Sequence, residues 1–384
     1  MINQYAVDIR RSLHMHPELG FDLEETISLI KRELIKMGVP YTEEYGKSSI
    51  VATINPDKKN YTIGIRADMD ALPIREENDV PYKSKADGKM HACGHDAHTA
   101  ILLTTLKELY EVREQINCRV KFLFQSAEEA ICGAKYMAED GVMNDIDCII
   151  ALHVDAEYRV GQVVVGIGPQ NANVDNFILE FFGKASHVAR QQNGADANMA
   201  AIKVCMAIEL MLAKEVKFDD VAIFNAGEIH GGTANNIISD YCSINCTLRT
   251  WNDETENKLL EKIEKTVNLT AEMSGVKAKF TKKEHYPILV NDAEITEKVK
   301  ASAISVLGKD NVFSKKARST GGEDFAYFAK EKPGCMFRLG TLDKENKKSY
   351  ATHTSKFDID EEALDVGVKI FKQFVFDNMN NKKG

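Results

Sequence analysis

The stretch that decides the reading of this chain is Met90-His91-Ala92-Cys93-Gly94-His95-Asp96-Ala97-His98-Thr99. It gathers Cys93, His95 and His98 around Gly94, just ahead of the helix-like run I-L-L-T-T-L-K-E-L-Y at 101–110. Downstream stand two adjacent carboxylates, Glu128 and Glu129, then His153 and His353. Sulfur, imidazole and carboxylate are the donors that borderline divalent metals prefer. Each of these residues is expected where a strand ends, which points to a metallohydrolase rather than a structural zinc module.

Working outward, apolar strand-like runs alternate with helices. Y-T-I-G-I-R ends at Asp68-Met69-Asp70, R-V-K-F-L-F-Q ends at Glu128-Glu129, and D-C-I-I-A-L ends at His153. A helix is expected from about Leu23 to Lys36, with Asp22 as N-cap and Glu25 completing a capping box. Another is expected from about Gly133 to Glu139. This alternation predicts an α/β domain with a central mixed, largely parallel sheet. In open sheets of that kind ligands bind beyond the carboxyl ends of the strands. From about Asn173 the order becomes β-α-β-β-α-β, the ferredoxin-like unit. The expected organisation is therefore a first part of the catalytic domain at 1–172, an inserted domain at 173–287, and a second part of the catalytic domain at 288–384.

Composition narrows the partners. Hydrophobic residues make up 44% of the 384, enough for a substantial core. Lys plus Arg number 49 against 58 Asp plus Glu, a formal charge of −9. That balance argues against nucleic acid and against an anionic membrane surface. The N-terminal run has no apolar core of a signal peptide and no stretch is long enough to span a bilayer, so a cytoplasmic protein is expected. The eight cysteines are scattered among apolar neighbours, as buried free thiols are; Cys93 alone departs from that pattern.

Two carboxylates directly after F-L-F-Q-S-A repel each other and lose solvation unless a cation compensates. Cys93, His95, Glu129, His153 and His353 make five donors. A tetrahedral catalytic zinc needs three protein ligands and a water, so five suit two divalent ions, of zinc, manganese, cobalt or nickel. Glu128 is left over, and a spare carboxylate there can take a proton from water and return it to a leaving amine. Asp70 is expected to orient a ligand, and His98, one helical turn past the pair, to give structural support.

The runs I-R-A-D-M-D-A-L-P, M-H-A-C-G-H-D-A-H-T, F-Q-S-A-E-E, G-G-T-A-N-N-I-I-S-D, G-G-E-D-F and T-H-T-S-K-F-D-I-D resemble the metal-dependent amidohydrolases of the aminoacylase and carboxypeptidase-G superfamily. The branch they resemble holds hippurate hydrolases, auxin-conjugate hydrolases and N-acyl-amino-acid amidohydrolases. The resemblance implies Cys93, His95, Glu129, His153 and His353 as ligands of two metals, and Glu128 as general base. It implies that the insertion is a lid that also dimerises, giving a homodimer or homotetramer. It implies His187 as an oxyanion donor, commonly from a partner subunit, and Asn236 and Arg249 as holders of the substrate carboxylate. The chain departs from the pattern at Ser126, where relatives have Pro, and at A-R-Q-Q-N-G after His187.

The implied activity is hydrolysis of N-acyl amino acids, N-acetyl or N-aroyl. A dipeptidase or carboxypeptidase of the same superfamily is the alternative. A cysteine hydrolase using Cys93 leaves Glu128 and Glu129 without a role, and a non-catalytic binding protein has no need of Glu128.

Overall fold

The structure, a computed structural model, describes residues 3–314, 319–343 and 350–381. The chain opens with α1 (Gln4–Met15), α2 (Glu24–Met37), β1 (Tyr41–Thr42), β2 (Ile50–Ile54) and β3 (Thr62–Asp68). Then come α3 (His95–Glu111), β4 (Arg119–Gln125), α4 (Glu128–Ile131), α5 (Gly133–Glu139), β5 (Cys148–Arg159), β6 (Val163–Val164) and β7 (Gly168–Asn171). The middle holds β8 (Asn173–Phe182), β9 (Ser186–His187), α6 (Ala197–Glu215), β10 (Ala222–Gly231), β11 (Ile237–Ile238), β12 (Tyr241–Thr250), α7 (Asp253–Met273) and β13 (Lys277–Tyr286). The chain finishes with β14 (Leu289–Asn291), α8 (Ala293–Leu307), β15 (Val312–Phe313), α9 (Ala326–Glu331), β16 (Gly334–Leu342) and α10 (Glu362–Asn378).

The chain divides into two compact units. One comprises Met1–Gln170, Val290–Ala317 and Asp324–Gly384; the other comprises Asn171–Leu289 with Arg318–Glu323. Residues 319–323, expected in the closing part of the catalytic domain, instead join the inserted unit. The Ala172 N–H donates to Ser319 O at 3.2 Å, and Asn171 Nδ2 donates to Gly321 O at 3.2 Å.

The first unit is built on an eight-stranded mixed sheet in the order β1-β2-β4-β3-β5-β16-β6-β15. Its centre is parallel, β3 pairing with β4 and β5, and β5 with β16. Both β3 and β4 are buried along their whole length, as strands of a parallel sheet covered on both faces must be. Helices α1, α3, α8 and α10 send Leu13, Ile101, Leu102, Val299, Leu364 and Phe371 into one continuous core against that sheet.

Two local expectations need correction. Helix α2 is capped at Leu23 without a side-chain bond; no Asp22 capping box forms. The Glu18 carboxylate reaches over from the preceding turn and accepts the Glu25 and Thr26 N–H groups at 3.0 and 2.8 Å. Strand β5 does not end at His153 but runs to Arg159, because β16 keeps pairing with it as far as Leu342↔Arg159. The ladder from β3 stops at Arg66↔Ala151, so His153 still lies past the end of one neighbouring strand.

The second unit is a four-stranded antiparallel sheet in the order β10-β12-β8-β13, with α6 and α7 between its strands in sequence. That is the ferredoxin-like order. Alternate residues Phe177, Leu179 and Phe181 of β8 pack against Val204 and Ile208 of α6 and Leu259, Ile263 and Val267 of α7. Asn252 starts α7 by accepting the Thr255 N–H at 2.7 Å.

Candidate metal centre and active site

All five expected ligands and Glu128 fall in the first unit. Gly94 sits between Cys93 and His95 with φ +86°, and a Cβ there would lie 2.4 Å from Val154 Cγ2. The position therefore demands glycine twice over, by conformation and by space. It lets the chain turn sharply into α3, with the His95 ring completely buried at the helix start.

Among the described residues, His95 has no hydrogen-bond partner on either ring nitrogen. Around it stand Asp70 Oδ1 at 3.5 Å from Nδ1, and Asp68 Oδ2 and Glu129 Oε1 each at 3.7 Å from Nε2. Glu129 Oε1 is likewise buried and unbonded, 3.4 Å from His353 Nε2. Cys93 Sγ lies 3.4 Å from His153 Nε2. His153 Nδ1 is 2.7 Å from Val154 O, and a carbonyl only accepts, so Nδ1 carries the hydrogen and Nε2 presents a lone pair. Donor atoms lie within 4.8 Å of one another in several sets, among them Cys93-His95-His153, Cys93-Glu129-His353 and His95-Glu128-Glu129, with Asp68-His95-His98 alongside. Cys93, His95 and Glu129 each belong to at least two of these sets. Buried donors without partners, in overlapping groups, are what a pair of adjacent cations would satisfy.

The strand ends hold these groups by a few strong contacts. Asp70 accepts the N–H of Glu128 at 2.9 Å and of Glu129 at 3.0 Å, one on each carboxylate oxygen. That clamp offsets local strain. The short helix α4 is flanked by Ala127 and Cys132, both non-glycine residues at φ near +55°, a conformation costing about 1–3 kcal/mol each. The turn is tight enough that a Cβ on Gly133 would lie 1.8 Å from Ser126 O. His353 also has positive φ, +63°, and its N–H donates to Ala92 O at 2.7 Å, tying it to the Cys93 segment.

His98 is fully engaged: Nε2 accepts the Val154 N–H at 2.9 Å, so Nδ1 donates to Asp68 Oδ1 at 2.6 Å. Both ring nitrogens therefore have protein partners, the arrangement a supporting residue needs. Asp68 leads to a network not foreseen from sequence. Buried Arg66 donates to Asp68 at 2.7 Å, Gln125 at 2.7 Å and Asp324 at 2.8 Å, and Gln125 donates to Asp324 at 2.7 Å. The signal was present in T-I-G-I-R-A-D, since an arginine in an otherwise apolar strand must find partners. A second unforeseen network ties α1 to the first turn of α3. Arg10 Nε and His14 Nδ1 both meet Asp96 Oδ2, at 2.9 and 2.7 Å, and His14 Nε2 lies 3.2 Å from Glu76.

Electrostatics separate the metal from the thiol chemistry. Burial, then Glu129 and Glu128, push the Cys93 thiol well above its ordinary value. Burial, then Arg338 and His98, press His153 well below its own. A nucleophilic cysteine needs the reverse, a thiolate beside an imidazolium. A cation in the pocket would favour both the thiolate and the neutral imidazole. Burial alone would lower His95, but Asp68, Asp70 and Glu129 outweigh it and carry it up to about 10. Without cations the pocket thus holds protons on His95 and Cys93 that a bound metal would have to displace.

The three residues expected in the lid lie in the second unit. His187 and Asn236 are brought together: β9 pairs with β11 as a two-residue ribbon, and the Val188 N–H donates to Asn236 O at 3.0 Å. Both side chains are exposed. Arg249 is half-buried, its Nη1 donating to Thr320 O at 2.5 Å. It pairs with Val174 at the far end of β12 from Tyr241. Eight residues of strand separate those ends, roughly 26 Å at 3.3 Å per residue.

A family model described as Peptidase family M20/M25/M40 matches residues 64–377. The chain is 36% identical over 363 residues to N-acetyl-L-cysteine deacetylase of Bacillus subtilis, with 94% of this chain and 85% of that protein covered. It is 33% identical over 371 residues to thermostable carboxypeptidase 2 of Saccharolobus solfataricus, with 95% and 93% covered. The crystal structure of the Bacillus subtilis YXEP protein, described as a dinuclear metal-binding peptidase, superposes with a TM-score of 0.82 at 31% identity, covering 97% of each chain.

Proposed function

This chain belongs to peptidase family M20/M25/M40, and we propose on that premise that it hydrolyses the amide bond of N-acyl amino acids, N-acetyl or N-aroyl, giving a carboxylic acid and a free amino acid. The observation that carries the reading is the set of buried, unbonded donors on His95 and Glu129 beside the Cys93–His153 contact. Cys93, His95, Glu129, His153 and His353 would hold two divalent ions, of zinc, manganese, cobalt or nickel. When bound, such ions polarise the scissile carbonyl and acidify the attacking water.

The chain's own residues do the rest. Glu128 takes a proton from the water and delivers it to the leaving nitrogen; its backbone is fixed by Asp70, so the carboxylate is aimed before substrate arrives. His187 donates to the oxyanion that develops on the carbonyl. Asn236 and Arg249 hold the carboxylate of the amino acid.

His187 follows the Phe182 end of β8, which pairs with Tyr241, whereas Arg249 lies at the opposite end of β12, a strand length much greater than one substrate molecule. Both serve one site only when two chains contribute, one giving the His187–Asn236 ribbon and the other Arg249. A homodimer is supported by Met199, Ile202, Met206 and Leu210, which form an exposed stripe on α6 beside the edge strand β10.

The test is metal-dependent release of free amine from N-acetyl and N-benzoyl amino acids after stripping with chelator and reloading with each ion. Activity that survives stripping would sink the reading. The likeness to a carboxypeptidase supports a second reading, cleavage of peptides, and faster turnover of aminoacyl than of acetyl or benzoyl substrates would select it. Among the described residues no helix is long and apolar enough to cross a membrane.

A further inference from the structure

The second unit holds a compact donor cluster of its own. Asp175 lies on the helix-facing row of β8, Glu256 lies in the first turn of α7, and His285 is near the end of β13. His285 Nδ1 is 3.1 Å from Asp175 Oδ1 and 3.2 Å from Glu256 Oε1. Donor atoms of all three lie within 4.8 Å of one another. A bulge makes this possible. The β13–β8 register shifts between Lys282↔Phe177 and His285↔Asp175, so an imidazole stands opposite Asp175. Without the shift Glu284 would take that place, adding another carboxylate. Bulges are a common means of re-aiming a side chain.

We propose that Asp175, Glu256 and His285 form a binding site for one divalent transition-metal ion of the zinc class, separate from the Cys93–His353 centre. Metal bonds of about 2.0–2.2 Å to nitrogen and oxygen place neighbouring ligand atoms about 3.0–3.5 Å apart, and both distances from Nδ1 fall in that range. An Nδ1–H has one hydrogen to offer to two carboxylate oxygens. Asp175 is 93% buried, and its other oxygen, Oδ2, accepts no hydrogen bond from any N–H or hydroxyl among the described residues. Asp253, also on the first turn of α7, adds negative charge, with Oδ1 3.3 Å from Asn173 Nδ2. Two buried carboxylates facing each other with one imidazole are under-compensated. Burial, then Asp175, push Glu256 up to about 7, the direction that a cation between the two carboxylates would reverse. His285 is about a third exposed, leaving an entry path and room for water to complete the shell.

The experiment counts ions. Full-length wild type, Glu256→Gln and Asp175→Asn are stripped with chelator, equilibrated with micromolar zinc and measured by plasma emission spectrometry. The expected result is one zinc per chain fewer in each variant than in wild type, with amide hydrolysis unchanged. The difference of one is read however many ions the Cys93–His353 centre holds, so failure of the proposed function does not mimic failure of this site. Equal zinc in wild type and variants overturns the proposal and leaves a proton-sharing carboxyl pair. Circular dichroism and melting of the metal-free proteins check folding. His285→Gln, at the more accessible position, decides the question if either buried substitution unfolds the chain.

Discussion

The two units present their candidate functional side chains in opposite ways. In the first, Cys93, His95 and Glu128 are buried, and each is fixed by a strand end, a helix start or the Asp70 clamp. In the second, His187 and Asn236 are exposed on a two-residue ribbon. The difference teaches where the chemistry is prepared by folding alone and where it waits for something to cover it. A buried donor without a partner costs about 1–3 kcal/mol, so the first unit carries a strain that the proposed cations would relieve. Exposed polar groups carry no such penalty, and the function proposed for these two depends on a second surface.

The sharpest way to break this comparison is to remove the ions. Chelation is expected to abolish hydrolysis and to lower the melting temperature of the first unit, since ligand binding stabilises the folded state; readdition should restore both. A stripped enzyme with full activity would mean that the buried donors have no catalytic part. Next in size, Glu128→Gln is expected to lower kcat by about 10²–10⁴, the usual contribution of general acid–base catalysis. Metal content should be unchanged, because Glu128 is not among the five ligands proposed. Loss of an ion from that variant would move Glu128 into the ligand set.

His187→Ala probes the exposed side. Loss of an oxyanion donor costs about 10²–10³ in kcat, and here the cost should come without any change in metal content or melting temperature. Mixing inactive His187→Ala with inactive Glu128→Gln sharpens the point. If the ribbon serves the partner's site, mixed dimers regain activity. If each lid serves its own chain, the mixture stays inactive.

Much of this was legible in the sequence because it depends on local rules. The strand ends at Asp68 and Gln125 follow from short apolar runs, and the β-α-β-β-α-β order follows from periodicity. What was not legible depends on residues far apart in the chain. The α2 cap comes from Glu18, a turn earlier, because its carboxylate reaches two N–H groups that Asp22 does not. The continuation of β5 past His153 depends on β16, nearly two hundred residues away. The Arg66–Asp324 and Arg10–Asp96 pairs are buried ion pairs closed by folding, and a sequence shows only that such charges need partners.

The smallest expected effect concerns the Arg10–His14–Asp96 network, which holds α1 against the start of α3. Burial alone would lower His14, but Asp96 and Glu76 outweigh it and raise it from 6.5 to about 9. The folded value lies above the unfolded one, so the stabilisation is fully present below pH 6.5. It is lost as pH rises through about 9, where the folded imidazole gives up its proton. A rise of that size corresponds to about 3 kcal/mol. His14→Gln removes the titration and leaves the rest of the chain alone. Urea unfolding of both proteins is therefore expected to show the wild type's advantage greatest below pH 6.5 and shrinking by about that amount above pH 9. Groups common to the two proteins cancel in the difference. An advantage that is constant or grows with pH would mean that His14 stays neutral. Arg10 alone would then neutralise Asp96, and the first unit's anchoring would be as insensitive to pH as an arginine pair.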